Sequence, residues 1–159
     1  QYISGLLMAL PRLTGDSTLA VTGPMESAGY VAMTEDALRL SGIRFTRDGQ
    51  SWRIPGGQTC RLPGLYRVEG DWSNAAPWLC MGAMDGDSVT VKGLDPDSQQ
   101  GDRAVCRVLG EMGVPIHHTA DRYTSHPGRL HPTTIDARDI PDLVPVLAAL
   151  AACQWLGVL

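Results

Sequence analysis

The sequence predicts a mixed α/β protein in which one βαβαββ unit is repeated. Apolar residues alternate between helical and strand-like spacing along the whole chain. The turn sequence Gly-Asp-Ser at 15–17 returns at 86–88, and Gly42, at the end of a helical pattern, returns as Gly113. This period of about 71 residues is longer than that of the common solenoid repeats, so it indicates a duplicated α/β unit.

The first copy follows from local signals. Apolar residues at 3, 6, 7 and 10 have helical spacing, and Asp48-Gly49 between two apolar segments is a strong hairpin signal. The predicted elements are a helix within 1–13, a short buried strand at 19–21, a helix at 27–40, hairpin arms at 43–45 and 51–54, and a strand at 65–69.

The second copy begins after Gly70. Asp71 or Ser73 can cap its first helix, and Pro77 is expected within the first turn or so, where a missing donor costs least. Its predicted elements are helices at 72–84 and 101–112, the latter capped by Ser98 or Asp102, a strand at 89–91, hairpin arms at 116–119 and 122–125, and a strand at 133–136. Residues 139–156 are predicted to be the opening helix of a third copy.

Composition narrows the class of protein. The chain has 159 residues, a net charge of −4 and 43% hydrophobic residues, as in an ordinary globular domain. An acidic balance favours neither a nucleic acid nor an anionic membrane surface as partner, and no apolar run reaches the roughly 18 residues of a membrane span. The chain does not open with methionine and ends on an apolar Gly-Val-Leu, from which we expect a piece of a longer protein.

Cysteine and histidine usage predicts neither disulfides nor a metal site. The cysteines form no C-x-x-C pair, which favours buried free thiols and a reducing, cytoplasmic setting; they are Cys60, Cys80, Cys106 and Cys153. His117 and His118 are neighbours on a predicted strand and point to opposite faces, while His126 and His131 lie in turns without ligand spacing.

Four stretches together resemble the 5-enolpyruvylshikimate-3-phosphate synthase family. They are QYISGLLMA at 1–9, GDWSNAA at 70–76, SQQGD at 98–102 and IPD at 140–142. The resemblance covers the chain in collinear order and corresponds to the middle third of the family's sequence. It implies a fold of two lobes, each of three βαβαββ units, here incomplete. Residues 1–69 would belong to one lobe and 70–159 to the other, with a hinge near 69–71.

The resemblance implies an enolpyruvyl transferase. Such an enzyme moves the enolpyruvyl group of phosphoenolpyruvate to the 5-hydroxyl of shikimate 3-phosphate, in aromatic amino-acid biosynthesis, without a metal or other cofactor. The implied partners are these two substrates and the missing segments of the same polypeptide, with self-association and no turnover expected of the isolated chain. The alternatives are the related UDP-N-acetylglucosamine enolpyruvyl transferase and a non-catalytic binding fragment.

The resemblance also implies four substrate-binding residues, Gln1, Ser27, Tyr30 and Asp142. Gln1 matches a glutamine that binds the shikimate ring, although two serines that normally precede it are missing. Ser27 and Tyr30 match residues at a helix start, which presents unpaired N–H groups to a phosphate. Ala28-Gly29 stands where many members have a basic residue and a proline, which weakens the positive charge.

Asp142 matches the aspartate that contacts the shikimate hydroxyls and is the candidate catalytic proton acceptor. The residues alone allow simpler interpretations of each position. Gln1 is then a polar residue at a frayed end, Ser27 a plain N-cap, and Asp142 a first-turn carboxylate with Asp139 as the cap.

Overall fold

A computed structural model describes residues 1–25, 27–62, 64–84 and 86–156, without the side chains of 154–156. The chain divides into two compact units, Gln1–Arg67 and Val68–Leu159. Each unit combines helices with an antiparallel sheet, which confirms the predicted mixed fold class. The predicted hinge near 69–71 remains a prediction.

The first unit contains two helices and three strands among its described residues. In chain order they are α1 (Tyr2–Ala9), β1 (Ser17–Ala20), α2 (Ala28–Leu40), β2 (Thr46–Asp48) and β3 (Ser51–Ile54). A single 3-10 turn, Leu10–Arg12, continues α1. The strand order is β1-β3-β2, and both neighbouring pairs are antiparallel. Strand β1 is half-buried rather than buried as predicted, because only alternate side chains face the helices.

Apolar side chains from every layer form the core of the first unit. Leu7 of α1 and Trp52 of β3 are fully buried, and Leu38 of α2 packs in the same cluster. Helix α2 ends as predicted at Gly42, whose φ of +78° is a left-handed conformation that glycine adopts without strain. The Ile43 amide then donates to the Leu38 carbonyl at 2.9 Å, which satisfies a carbonyl at the helix end.

The second unit has the same order of elements, followed by one more helix. They are α3 (Trp72–Gly82), β4 (Val89–Lys92), α4 (Val105–Glu111), β5 (Ile116–Thr119), β6 (Arg122–Ser125) and α5 (Val144–Leu156). Single 3-10 turns, Gly101–Ala104 and Pro141–Leu143, lead into α4 and α5. The strand order is β4-β6-β5, and Trp72, Leu79 and Leu109 are fully buried in the core.

The register of the paired strands agrees with the repeated strand order of the two sheets. In the first sheet Leu19 lies opposite Trp52, and in the second Val91 lies opposite Tyr123. Trp52 and Tyr123 are 71 positions apart and both are buried, so the two inner faces carry their large aromatic residue at equivalent positions.

The opening strands that the repeat predicted at 65–69 and 133–136 do not form. Both stretches are outside any sheet of the described chain, and Leu65 is 94% exposed. Apolar, β-prone residues become a strand only when a neighbouring chain segment pairs with their backbone groups. Without these strands the first unit has the order αβαββ, and the second has the same order followed by α5, which begins at Val144, after a 3-10 turn, instead of at 139.

Helix α3 begins at the predicted cap. The Asp71 carboxylate accepts from the backbone N–H groups of Ser73, at 2.8 Å, and Asn74, at 3.3 Å. Pro77 is the sixth residue of α3, deeper in the helix than the predicted first turn, and it is exposed. The helix continues through it to Gly82, so the tertiary packing of α3 outweighs the lost backbone bond.

Candidate functional site

Ser27 has an unusual backbone conformation at the start of α2. Its φ of 53° and ψ of 42° are left-handed, and its side chain makes no capping hydrogen bond to the helix. Among the described residues other than glycine only Ala120 shares a positive φ, and Ala120 lies in a hairpin turn that requires it. A strained residue that does not cap its own helix has its hydroxyl available for another acceptor or donor.

The first turn of α2 suits an anion. Helix starts present unbonded N–H groups and a partial positive charge, and this turn carries no acidic side chain. The Tyr30 amide donates to the Ser27 carbonyl at 3.1 Å, so these two predicted site residues share one turn. The Tyr30 side chain is 38% exposed.

Gln1 lies at the start of the neighbouring helix. It is exposed, and its carbonyl accepts from the Gly5 amide at 2.9 Å, which makes it the N-cap residue of α1. Helices α1 and α2 pack together, and the hydroxyls of Ser4 and Thr34 are 2.8 Å apart. The structure thus places three of the four predicted residues on two helices in contact.

A buried carboxylate fixes α2 on its sheet, and the sequence interpretation missed it. Glu35 is 4% exposed, and it accepts from the Trp52 indole at 2.7 Å and from Arg47 at 2.9 Å. Arg39 completes the cluster at 3.1 Å. The sequence has a local signal only for the i,i+4 pair of Glu35 and Arg39. Arg47 and Trp52 lie on β2 and β3 and meet Glu35 only in the folded chain.

Asp142 belongs to the second unit and lies in the 3-10 turn before α5. It is exposed, and the N-cap position of this turn is Ile140, which makes no side-chain cap, rather than Asp139. The simpler interpretation, in which Asp139 caps this helix start, is therefore wrong. The carboxylate occupies a first-turn position that favours negative charge.

The second unit has its own counterpart of the Ser27 turn. Ser98 is 71 positions after Ser27 and is buried, and its hydroxyl accepts from the Gln100 amide at 3.1 Å. The Gln100 side chain accepts from the Trp72 amide at 2.8 Å and donates to the Gly70 carbonyl at 2.9 Å. The N-cap position is Gln100 rather than the predicted Ser98 or Asp102, and the Gln100 side chain holds the start of α3.

A groove of about 710 Å³ lies beside this turn. Its two arginines are engaged within the unit, Arg103 with the Pro96 carbonyl and Arg107 with Glu111 at 2.7 Å. Both bonds draw the guanidinium groups toward the protein itself, so this groove is a weaker anion site than the first turn of α2.

The buried thiols of the described chain suggest no further chemistry. The cysteines are free thiols; burial raises the pKa of Cys80 to about 12 and that of Cys106 to about 11, which keeps both protonated. The prediction of a buried thiol is wrong for Cys60, which is exposed. No group of three or more His, Cys, Asp or Glu residues is placed to hold a metal ion among the described residues.

An apolar groove of about 670 Å³ runs along α5. Its walls include Met112 at the end of α4, Ile135 and Leu147. Of the helices described, none has the length and apolar character needed to cross a membrane.

Comparison with known proteins shows one consistent likeness. The sequence model of the EPSP synthase family, 3-phosphoshikimate 1-carboxyvinyltransferase, matches residues 1–157. The enzyme of that name from Clostridium kluyveri is 44% identical over 155 residues, and the one from Methanocella arvoryzae is 41% identical over 155 residues. Each alignment covers 96% of this chain but only 35% and 36% of the relative, so the chain spans about a third of their length.

Solved structures show the same fold at lower identity. EPSP synthase from Acinetobacter baumannii superposes with a TM-score of 0.67 at 21% identity, over 94% of this chain and 35% of the other. The enolpyruvyl transferase NikO from Streptomyces tendae also gives 0.67, at 24% identity, over 89% of this chain and 34% of the other.

Proposed function

Because this chain belongs to the EPSP synthase family, we propose that it forms part of an enzyme that transfers an enolpyruvyl group. The donor is phosphoenolpyruvate and the acceptor is the 5-hydroxyl of shikimate 3-phosphate, in the synthesis of aromatic amino acids. In the reaction the hydroxyl loses its proton, its oxygen bonds to the enolpyruvyl carbon, and the bond from that carbon to the phosphate oxygen breaks.

The start of α2 carries this proposal. The left-handed Ser27 makes no capping bond, so its hydroxyl and the N–H groups of the first turn can bind the 3-phosphate together. Backbone donors and a hydroxyl bind a phosphate without an arginine, which suits a turn that has Ala28-Gly29 in place of a basic residue.

Gln1 and Tyr30 supply the remaining contacts of the first unit. An exposed amide at the start of α1 can bind ring hydroxyls as both donor and acceptor. Tyr30 presents a partly exposed ring and hydroxyl one turn into α2, where it can cover the substrate beside the phosphate.

Asp142 is the proposed catalytic residue. An exposed carboxylate accepts hydrogen bonds from ring hydroxyls and takes the proton of the attacking hydroxyl. Its place in a first turn makes it a firm hydrogen-bond anchor for the substrate.

The sequence relatives favour this substrate over UDP-N-acetylglucosamine. Relatives at 44% and 41% identity bear the name 3-phosphoshikimate 1-carboxyvinyltransferase. The fold by itself does not discriminate, since another enolpyruvyl transferase superposes equally well.

The proposed partners include the rest of the polypeptide. The chain spans about a third of its relatives, and it exposes apolar side chains such as Tyr2 at 92% and Leu65 at 94%. Further segments would cover these residues, and without them we expect self-association. We also expect no turnover from the 159 residues alone, because two anionic substrates need more cationic groups than this acidic chain supplies. Free thiols support a cytoplasmic setting.

Titration calorimetry with inorganic phosphate and with shikimate 3-phosphate tests this proposal. Ser27→Ala should weaken the binding of both ligands roughly tenfold or more, as expected for loss of a charge-assisted hydrogen bond. Ser98→Ala is the matched control, since it removes the equivalent hydroxyl in the second unit and should leave both affinities unchanged. Equal loss in the two variants, or binding unaffected by Ser27→Ala, would contradict the proposal.

A further inference from the structure

We propose that the hydroxyls of Ser4 and Thr34 form a positioning pair, which sets the spacing between the two helix starts that hold one substrate molecule. The inference rests on the proposed function and deepens it. Gln1 and Ser27 would contact opposite ends of shikimate 3-phosphate, yet they lie on separate helices, α1 and α2. Their spacing therefore depends on how these helices are held together.

The Thr34 hydroxyl links the two helices. It donates toward the Ser4 hydroxyl at 2.8 Å and toward the Tyr30 carbonyl at 2.9 Å. A hydroxyl has one proton, so the two acceptors share it. The Thr34 side chain is buried.

These bonds form a continuous path from α1 to the proposed phosphate site. The Thr34 hydroxyl donates to the Ser4 hydroxyl and to the Tyr30 carbonyl, and the Tyr30 amide donates to the Ser27 carbonyl at 3.1 Å. Gln1 lies three residues before Ser4, less than one turn of the same helix away. A displacement of one helix against the other would break the path between the two proposed ligand contacts.

The second unit shows that the fold does not require this pair. The equivalent positions, 71 residues later, are Ala75 and Val105, and both are buried in an apolar core. Helices α3 and α4 pack together there without hydroxyls. Apolar contact is non-directional, whereas a hydrogen bond fixes distance and angle, so the pair in the first unit adds precision rather than the contact itself.

The same comparison supplies the test. Ser4→Ala and Thr34→Val, singly and together, give the first unit the residues of the second at these positions. Thr34→Ser keeps the hydroxyl and is the rescue control. Affinities of the full chain for shikimate 3-phosphate and for inorganic phosphate are measured for each variant, with thermal unfolding measured in parallel.

We expect Thr34→Val to weaken shikimate 3-phosphate binding about threefold to tenfold, the range of one hydrogen bond, and to leave inorganic phosphate binding unchanged. Phosphate needs only the start of α2, whereas the whole substrate needs both helices. The double variant should lose no more affinity for shikimate 3-phosphate than Thr34→Val does, because both changes break the same path of hydrogen bonds. Thr34→Ser should retain most of the wild-type affinity.

The outcomes separate this inference from the function it rests on. If the wild-type chain binds shikimate 3-phosphate no more tightly than inorganic phosphate, the proposed function fails and the inference fails with it. If the wild type prefers shikimate 3-phosphate and Thr34→Val keeps the same ratio of affinities, the inference alone is overturned. If Thr34→Val weakens the binding of shikimate 3-phosphate and of inorganic phosphate by the same factor, the inference is also overturned, since a merely structural role predicts that result.

Discussion

The two units share a sheet and differ at the start of the second helix. Strand order and the position of the large aromatic residue, Trp52 or Tyr123, are the same in both. In the first unit Ser27 is left-handed and makes no capping bond, whereas in the second Ser98 and Gln100 bond to neighbouring backbone groups. The strand pairing that holds the fold is thus the same in both units, and they differ at the helix start that we propose as the phosphate site.

The largest expected effect concerns Asp142, the proposed catalytic residue of the second unit. In a complete enzyme that contains this chain, Asp142→Ala should abolish turnover, since loss of the proton acceptor and of positioning together raises the barrier by several kcal/mol, an order-of-magnitude figure. Asp136→Ala is the control, because that exposed carboxylate pairs with Arg138 and should affect turnover little. Near-normal turnover of Asp142→Ala at saturating phosphoenolpyruvate would show that Asp142 has no catalytic role and only occupies the helix start.

A second prediction concerns the attachment of α2 and α4 to their sheets. Glu35 and Cys106 are equivalent positions 71 residues apart. Glu35→Ala leaves the buried Trp52 indole without its acceptor and should destabilise the first unit by about 2–3 kcal/mol. Cys106→Ala removes one half-buried sulfur and should destabilise the second unit by about 1 kcal/mol.

Amide hydrogen exchange read by mass spectrometry reports on each unit separately. Protection lost mainly across α2, β2 and β3 in Glu35→Ala would support this difference between the units. Equal losses from the two substitutions would show that the buried carboxylate contributes no more than an ordinary packed side chain.

Much of the common frame could be predicted from the sequence, because its signals are local. Gly42 and Gly113 end helices, Asp71 caps α3, and the second hairpin begins and ends at the predicted residues. The features that the sequence did not predict depend on contacts between residues that are far apart in the chain. The strand predicted at 65–69 lacks a paired segment in the described chain, and the Glu35 cluster joins residues far apart in sequence. The left-handed conformation of Ser27 likewise has no local sequence signal.

The helix-ending glycines offer a third test. Both have positive φ, +78° at Gly42 and +93° at Gly113, so alanine is strained at either position by about 1–2 kcal/mol. A methyl group on Gly42 would meet no atom within 4 Å, whereas on Gly113 it would lie 2.9 Å from the Arg129 carbonyl oxygen. Gly113→Ala should therefore destabilise its unit more than Gly42→Ala destabilises the other, as measured by urea denaturation. A larger loss of stability in Gly42→Ala would contradict this prediction.

The stability of the helix starts of α1 and α3 should also depend differently on pH, which is a smaller effect. The Ser73 hydroxyl, followed by the Asn74 and Ser73 amides, holds the pKa of Asp71 below its ordinary 3.8. A lowered pKa in the folded state means that the cap stabilises α3 above pH 3.8 and that this contribution is lost as the pH falls through the lower, folded-state value. Helix α1, whose N-cap residue is Gln1, has no side-chain cap and should lack this dependence.

Acid titration of hydrogen exchange at the starts of α1 and α3 checks the sign. Asp71→Asn retains an acceptor but not the titrating charge, so it should flatten the pH dependence at α3 and leave α1 unchanged. If hydrogen-exchange protection falls equally in acid at the starts of α1 and α3, the titration of Asp71 is not the cause.

Titration of the ¹⁵N-labelled chain with shikimate 3-phosphate tests the central claim most directly, since each helix start has its own backbone amide signals. We predict saturable chemical-shift changes at residues 27–30, with little change at the equivalent residues 98–101. Changes of equal size in the two turns, or changes confined to 98–101, would contradict the assignment of the phosphate site to the first unit.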